Sequence, residues 1–131
     1  EVVVYPADVL PETEIEAVAV TEDQGCTPWR PEYEAQAFPT VLLGPGDGVF
    51  LPQYAPHRVV GVGPEPSVAL SIGFHTPVSY RRKLIHRVNH EMRCRGLAPR
   101  PYGSGRRFDD LKRRAHVALQ VRDRLRSWAR R

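Results

Sequence analysis

The residues with the clearest potential for chemistry lie in positions 44–57, where a glycine-rich turn leads through a short apolar run to His57. The segment reads Gly-Pro-Gly-Asp-Gly-Val-Phe-Leu-Pro-Gln-Tyr-Ala-Pro-His. Its glycines supply the positive φ angles of a sharp turn, and Pro52 and Pro56 stiffen the approach to the histidine. A fixed imidazole suits iron, zinc, copper or nickel. By itself a lone histidine after a proline turn is usually a polar loop residue, and metal binding is the alternative for His57.

The other histidines carry less specific patterns. His86 and His90 are spaced i, i+4 on a predicted helix, which is a zinc-binding spacing. The surrounding residues match neither H-E-x-x-H nor H-x-x-E-H, so the sequence favours a solvated basic helix. His75 ends a predicted strand, either near His57 or simply at the surface. Asp47 is interpreted as a turn residue.

The segment 44–62 resembles the metal-site segment of the cupin superfamily, in particular its cupin-like, JmjC-type branch. There a Gly-Asp turn, three apolar residues and a proline precede an iron-binding histidine. The similarity continues through Ser67-Val-Ala-Leu-Ser-Ile-Gly-Phe74 and, more loosely, residues 80–101. It implies a mainly β fold, a partial jelly-roll (double-stranded β-helix), followed by two C-terminal α-helices. It also implies an ancestral Fe(II)/2-oxoglutarate-dependent oxygenase.

The resemblance implies a role for two residues, but two of the iron ligands that it leads us to expect are missing. It makes His57 an iron ligand, and it makes Ser71 a candidate for the 2-oxoglutarate pocket. JmjC-type enzymes take two further iron ligands from an upstream His-x-Asp/Glu, whereas no histidine precedes His57 here. We therefore expect either the C-terminal part of a longer protein or a degenerate site, and no catalytic residue is assigned.

Apolar and alternating runs predict about five strands before residue 77. In Ser67–Phe74, the larger side chains Val68, Leu70, Ile72 and Phe74 fall on one face at a period of two. The small residues on the other face suit either the inner wall of a barrel or solvent. Five strands do not close an eight-stranded jelly roll, so we expect open sheet edges. The other predicted strands are 2–5, 15–20, 40–43, 49–51 and 59–62.

Two helices are predicted after the strands. Thr76 is the N-cap of the first, Pro77 its first residue and Gly96 its stop signal. The second runs from about Phe108 toward Arg131. The predicted domains are thus 1–77, the barrel part, and 78–131, a basic helical tail. The apolar stripes are Tyr80, Leu84, Ile85, Val88 and Met92 in the first helix, and Phe108, Leu111, Ala115, Ala118, Leu119, Leu125 and Trp128 in the second.

Charge is divided unevenly along the chain, whose net value is +4. Residues 1–77 hold two basic and eleven acidic residues, a net −9, and residues 78–131 hold seventeen and four, a net +13. The basic half favours solvation or pairing with the acidic half over nucleic-acid binding. Cys26 and Cys94 are expected to be reduced in a cytoplasmic protein. No run is apolar enough for a membrane span.

Three classes of function therefore stay open. The first is the oxygenase implied by the resemblance, with Fe(II) and 2-oxoglutarate as cofactors and an unknown substrate. The second is a non-catalytic cupin module for dimerisation or partner binding, completed as a homo-oligomer or by a missing N-terminal part of the same protein. The third is a nucleic-acid-associated regulator acting through its basic helices.

Overall fold

A computed structural model of the chain describes residues 1–21 and 29–128. Cys26 and residues 129–131, the predicted end of the second helix, lie outside the described residues. Within them the chain forms two strands, three α-helices and two short 3-10 helices. In chain order the first elements are β1 (Val2–Val4), a 3-10 helix (Ala7–Val9), α1 (Glu12–Thr21) and a second 3-10 helix (Pro31–Gln36). They are followed by β2 (His57–Val59), α2 (Pro77–Cys94) and α3 (Arg106–Trp128).

The chain divides into two units by its internal contacts. The strand unit comprises Glu1–Pro11 and Gly25–Phe74, and the helical unit comprises Glu12–Gln24 and His75–Arg131. The helix α1 thus belongs with α2 and α3, although it precedes most of the strand unit in sequence. Buried apolar side chains in the strand unit are Val2, Val3, Tyr5, Leu10, Tyr33 and Ala55, and those in the helical unit are Ile15, Ala19, Leu84, Ile85 and Val88.

The predicted mainly β fold, a partial jelly-roll, is wrong. In the described residues β1 and β2 form an antiparallel two-stranded sheet with Val3 opposite Arg58, and one bridge joins Val2 to Val41. The predicted strands at 49–51 and 67–74 are not strands in the structure, which places these residues in irregular segments. A strand is stabilised by hydrogen bonds to a second segment, so an alternating pattern alone cannot supply its partner.

The predicted strand at residues 15–20 is also wrong, because this segment lies inside α1. Its glutamates and alanines favour the helix. Ile15 and Ala19, spaced i, i+4, are buried together with Glu16. One face of α1 therefore points into the helical unit, and that face carries a carboxylate.

The start and end of α2 agree with the sequence. The Thr76 hydroxyl accepts a hydrogen bond from the Ser79 backbone N–H at 3.1 Å, and the Thr76 N–H donates to Ser79 Oγ at 2.8 Å. This reciprocal pair is a capping box. Pro77 follows as the first helical residue, and Gly96 takes the positive φ of 74° that ends many helices. Cys94, the last residue of α2, is exposed.

In the part of α3 whose side chains the structure describes, the predicted apolar stripe does not form the buried face; Leu119, Leu125 and Trp128 lie outside that part. Phe108 and Leu111 are exposed, whereas Asp109, Lys112 and His116 are buried. Two of these reach the loop before the helix: Asp109 Oδ2 accepts from the Gly103 N–H at 3.1 Å, and the Lys112 ammonium donates to the Arg100 carbonyl. None of the described helices has the length and apolarity required to cross a membrane.

Candidate functional site

His57 occupies the first position of β2 and is exposed. Its Nδ1 lies 3.3 Å from the Ala55 carbonyl oxygen. The turn before it has the expected form, because Gly46 has a φ of 90° and Asp47 accepts a hydrogen bond from the Gly44 N–H at 2.8 Å. Among the described residues, His57 does not belong to a group of three side chains able to share a metal ion. Its role as an iron ligand stays a prediction.

The remaining residues singled out from the sequence lie apart from such a group. Ser71 is exposed in an irregular segment, and its role in a 2-oxoglutarate pocket also stays a prediction. The His75 ring lies 6.0 Å from the Tyr80 ring. His90 is half-buried, and it is not one of the residues that the structure gathers around His86.

The strand unit presents an apolar strip, which we define as Val68, Leu70, Ile72 and Phe74. These side chains are 98%, 86%, 77% and 67% exposed. Within the described chain, residues 61–74 form no backbone hydrogen bond. Further exposed apolar residues of the same unit are Leu42, Phe50, Val59 and Val62. The Phe50 ring lies 6.3 Å from the Phe74 ring, which connects the strip to the segment after the glycine turn.

Such exposure is unusual, because soluble monomers rarely leave large apolar groups together in water. The same unit also contains a two-stranded sheet that could pair with a further strand. All three residues of β2 are exposed, and a two-stranded sheet is marginally stable by itself. An exposed strand edge is a template for another strand. The strand unit therefore combines an alternating unpaired segment with a sheet that can accept one.

A different kind of site lies in the helical unit, where polar side chains are buried. Glu12 and Glu16 are spaced i, i+4 and so share one face of α1, and His86 comes from α2. One ligand atom from each of the three lies within 4.8 Å of the others. His86 Nδ1 is 3.3 Å from Glu12 Oε1. We refer to these three residues as the carboxylate–histidine cluster.

Each of the two carboxylates accepts a hydrogen bond from a neighbouring residue. Arg93 Nε donates to Glu16 Oε2 at 2.8 Å, while Glu16 Oε1 has no partner among the described residues. Glu16 is fully buried, so this oxygen is also out of reach of water. Glu12 Oε1 accepts from the Tyr102 backbone N–H at 3.1 Å. The cluster therefore contains one buried carboxylate oxygen whose hydrogen-bonding capacity is unused.

The electrostatic state of His86 follows from its burial. Desolvation lowers the pKa of His86 from 6.5 to about 4, opposed in part by the Glu12 carboxylate. Arg82 and Lys112 lower this pKa further, and Asp109 raises it. The imidazole is therefore neutral at pH 7. Because Arg82 Nε donates to its Nε2 at 3.3 Å, the remaining proton is assigned to Nδ1, facing Glu12.

Sequence reasoning noticed His86 but not its partners. From the sequence we compared His86 with His90 on the same helix. In the structure His86 lies close to two glutamates from the N-terminal half of the sequence. The available signal was the Glu-x-x-x-Glu spacing at 12 and 16 in a segment rich in helix-forming residues. The predicted strand at 15–20 contained Glu16 but not Glu12, so the two glutamates were not recognised as neighbours on one helical face.

Comparison with known proteins adds no relative. No family model matches the chain, and neither a curated protein nor a solved structure matches it. The resemblance to the cupin-like, JmjC-type branch thus stays a prediction from the residues that carry it.

Proposed function

We propose that the strand unit is an assembly module that joins two copies of the chain by strand pairing through residues 67–74. The observation that carries this proposal is the apolar strip, which alternates along a segment outside the described helices and strands that forms no backbone–backbone hydrogen bond within the described chain. Pairing would satisfy those backbone groups and bring the apolar side chains of the two copies into contact with one another. This is the non-catalytic class of function anticipated from the open sheet edges.

A second copy is the partner that the charges favour. The strand unit holds six acidic and two basic residues, a net charge of −4, so two copies of it repel one another electrostatically. The segment 66–74 contains no charged residue. Two identical neutral segments can meet antiparallel about a two-fold axis without placing like charges opposite each other. The strip is therefore the part of the strand unit best suited to contact its own copy.

Sedimentation velocity across a range of protein concentrations tests this proposal. We expect a monomer–dimer equilibrium, and we expect Leu70→Arg to weaken it by roughly 100-fold, because the change removes apolar burial and places a charge opposite its own copy. Leu111→Arg is the matched control: Leu111 is also an exposed leucine, but it lies on α3. That variant should dimerise like the wild type. Amide hydrogen exchange in residues 67–74 should slow as the dimer forms.

Two results would contradict the proposal that the partner is a second copy of the chain. One is a folded wild-type monomer at every concentration up to the solubility limit. The other is equal dimerisation of the Leu70→Arg and wild-type chains. If a longer form of the protein, with residues preceding Glu1, sediments as a monomer and protects residues 67–74 from exchange, those preceding residues cover the strip instead. The oxygenase, the nucleic-acid role and the cytoplasmic location stay predictions from the sequence.

A further inference from the structure

We propose that Glu12, Glu16 and His86 bind a divalent transition-metal ion of the Zn²⁺ type in the helical unit. Two carboxylate oxygens and one imidazole nitrogen are ligands that zinc accepts, and three protein ligands leave a fourth position for water or another molecule. This site is independent of strand pairing, since all three residues belong to the helical unit.

The spacing of the ligand atoms suits tetrahedral coordination. Metal–ligand distances of about 2.0–2.2 Å place tetrahedral ligand atoms roughly 3.3–3.6 Å apart. The 3.3 Å separation of His86 Nδ1 and Glu12 Oε1 already has this value. The largest separation within the cluster is at most 4.8 Å, so closure requires side-chain rotation rather than movement of a helix.

The unused oxygen of Glu16 is a second, independent indication of a ligand. Burying a charged acceptor without a partner costs free energy, and a cation is the partner that would compensate it. Since Arg93 occupies Oε2, Oε1 is the oxygen left to coordinate an ion. Arg93 would then orient the carboxylate from outside the coordination sphere, as hydrogen-bonding partners of metal ligands commonly do.

The protonation of the cluster is also suitable. The neutral imidazole of His86 is the form that binds a metal ion. Binding at Nδ1 displaces the proton that faces Glu12, and the proton moves to Nε2. Arg82 would therefore have to turn away from Nε2, where it now donates. The Glu12 side chain is 29% exposed, so an ion can enter from solvent on that side.

The competing explanation is that these residues only attach α1 to α2 by an ion pair and a hydrogen bond. Metal titration separates the two explanations. Protein stripped with a chelator is titrated with Zn²⁺ by calorimetry, and Co²⁺ is used in parallel because its visible absorption reports tetrahedral nitrogen and oxygen ligands. We expect one ion per chain and a higher melting temperature in the presence of Zn²⁺.

Variants of the ligands and of a neighbouring histidine identify the site. Glu12→Gln and His86→Gln should each weaken Zn²⁺ binding by roughly 100-fold or more and abolish the Co²⁺ spectrum. His90→Gln, one turn along the same helix, should bind like the wild type. Glu12→Gln preserves size at a partly exposed position, so it decides the question if His86→Gln does not fold.

Three results would overturn the metal site. The first is no Zn²⁺ binding by the folded wild-type chain at millimolar metal. The second is unchanged affinity in Glu12→Gln, since the ion would then lie elsewhere. The third is equal loss of affinity in His90→Gln and His86→Gln, which would indicate a surface histidine site on α2.

Discussion

In the strand unit Val68 and Leu70 are almost fully exposed, whereas in the helical unit Glu16 and His86 are fully buried. Each unit thus departs from ordinary globular packing, but in opposite directions. The helices complete their backbone hydrogen bonds within themselves, so their faces can carry polar side chains into a packed interior. Strands need another segment for the same purpose. This difference is the physical basis for the partner proposed for the strand unit and for the metal ion proposed in the helical unit.

Removal of Arg93 should have the largest effect on the helical unit. Arg93→Met leaves the Glu16 carboxylate buried without its cation, which costs about 3–5 kcal/mol. We expect the melting temperature of chelator-treated protein to fall by more than about 10 °C. The matched control is Arg95→Met on the same helix, where the pair with Glu91 is half-exposed and contributes about 0–1 kcal/mol. Equal losses of stability in the two variants would show that the buried Arg93–Glu16 pair stabilises the chain no more than the half-exposed Arg95–Glu91 pair does.

One isoleucine in each unit tests the difference in packing. Ile85 is completely buried on α2, and Ile72 belongs to the apolar strip. Ile85→Ala should destabilise the chain by about 2–5 kcal/mol in urea unfolding, because it leaves a cavity. Ile72→Ala should change the stability of the dilute monomer by less than about 0.5 kcal/mol. A large loss from Ile72→Ala at low concentration would mean that the strip is already covered within one chain.

The features that the sequence predicted well are local ones. The Thr76–Ser79 cap, Pro77 and Gly96 act within a few residues of α2, so their positions could be assigned from spacing alone. The sheet could not, since β1 pairs with residues more than fifty positions away. Predicting the carboxylate–histidine cluster required two steps. α1 had to be recognised as a helix, and it then had to be placed against α2. Periodicity located α3 but not the buried face of its described part, where Asp109 and Lys112 form hydrogen bonds with the preceding loop that no hydropathy pattern reveals.

Acidification should weaken the helical unit through His86. Its pKa is about 4 in the folded chain and 6.5 when unfolded, so below pH 6.5 only the unfolded state takes up the proton. The free energy of unfolding should fall by about 2 kcal/mol between pH 7 and pH 5, and by about 3 kcal/mol in all by pH 4. Groups facing the imidazole are Glu12 on α1, Arg82 on α2, and Asp109 and Lys112 on α3.

Urea midpoints at the two pH values, measured with a chelator present, check this dependence. His86→Gln should lose most of this pH dependence, and His90→Gln should keep it. His116 is a second buried histidine whose pKa is lowered by burial and by Arg87, so a smaller dependence should persist in His86→Gln. A stability that is constant from pH 7 to pH 5 in the wild type would show that His86 is solvated in solution.

The smallest effect should come from the cap of α2, where the helical unit depends on a purely local interaction. Thr76→Ala removes the oxygen that accepts the Ser79 N–H and should cost about 1 kcal/mol. The helix should lose order first at its N-terminus, so amide exchange should accelerate at residues 78–80 and stay unchanged near Gly96. Ser71→Ala is the control in the strand unit, because it removes a hydroxyl from an exposed irregular segment and should change stability by less than about 0.5 kcal/mol. If the two variants unfold at the same urea concentration, the capping box does not stabilise α2, and the helical unit owes its order to packing alone.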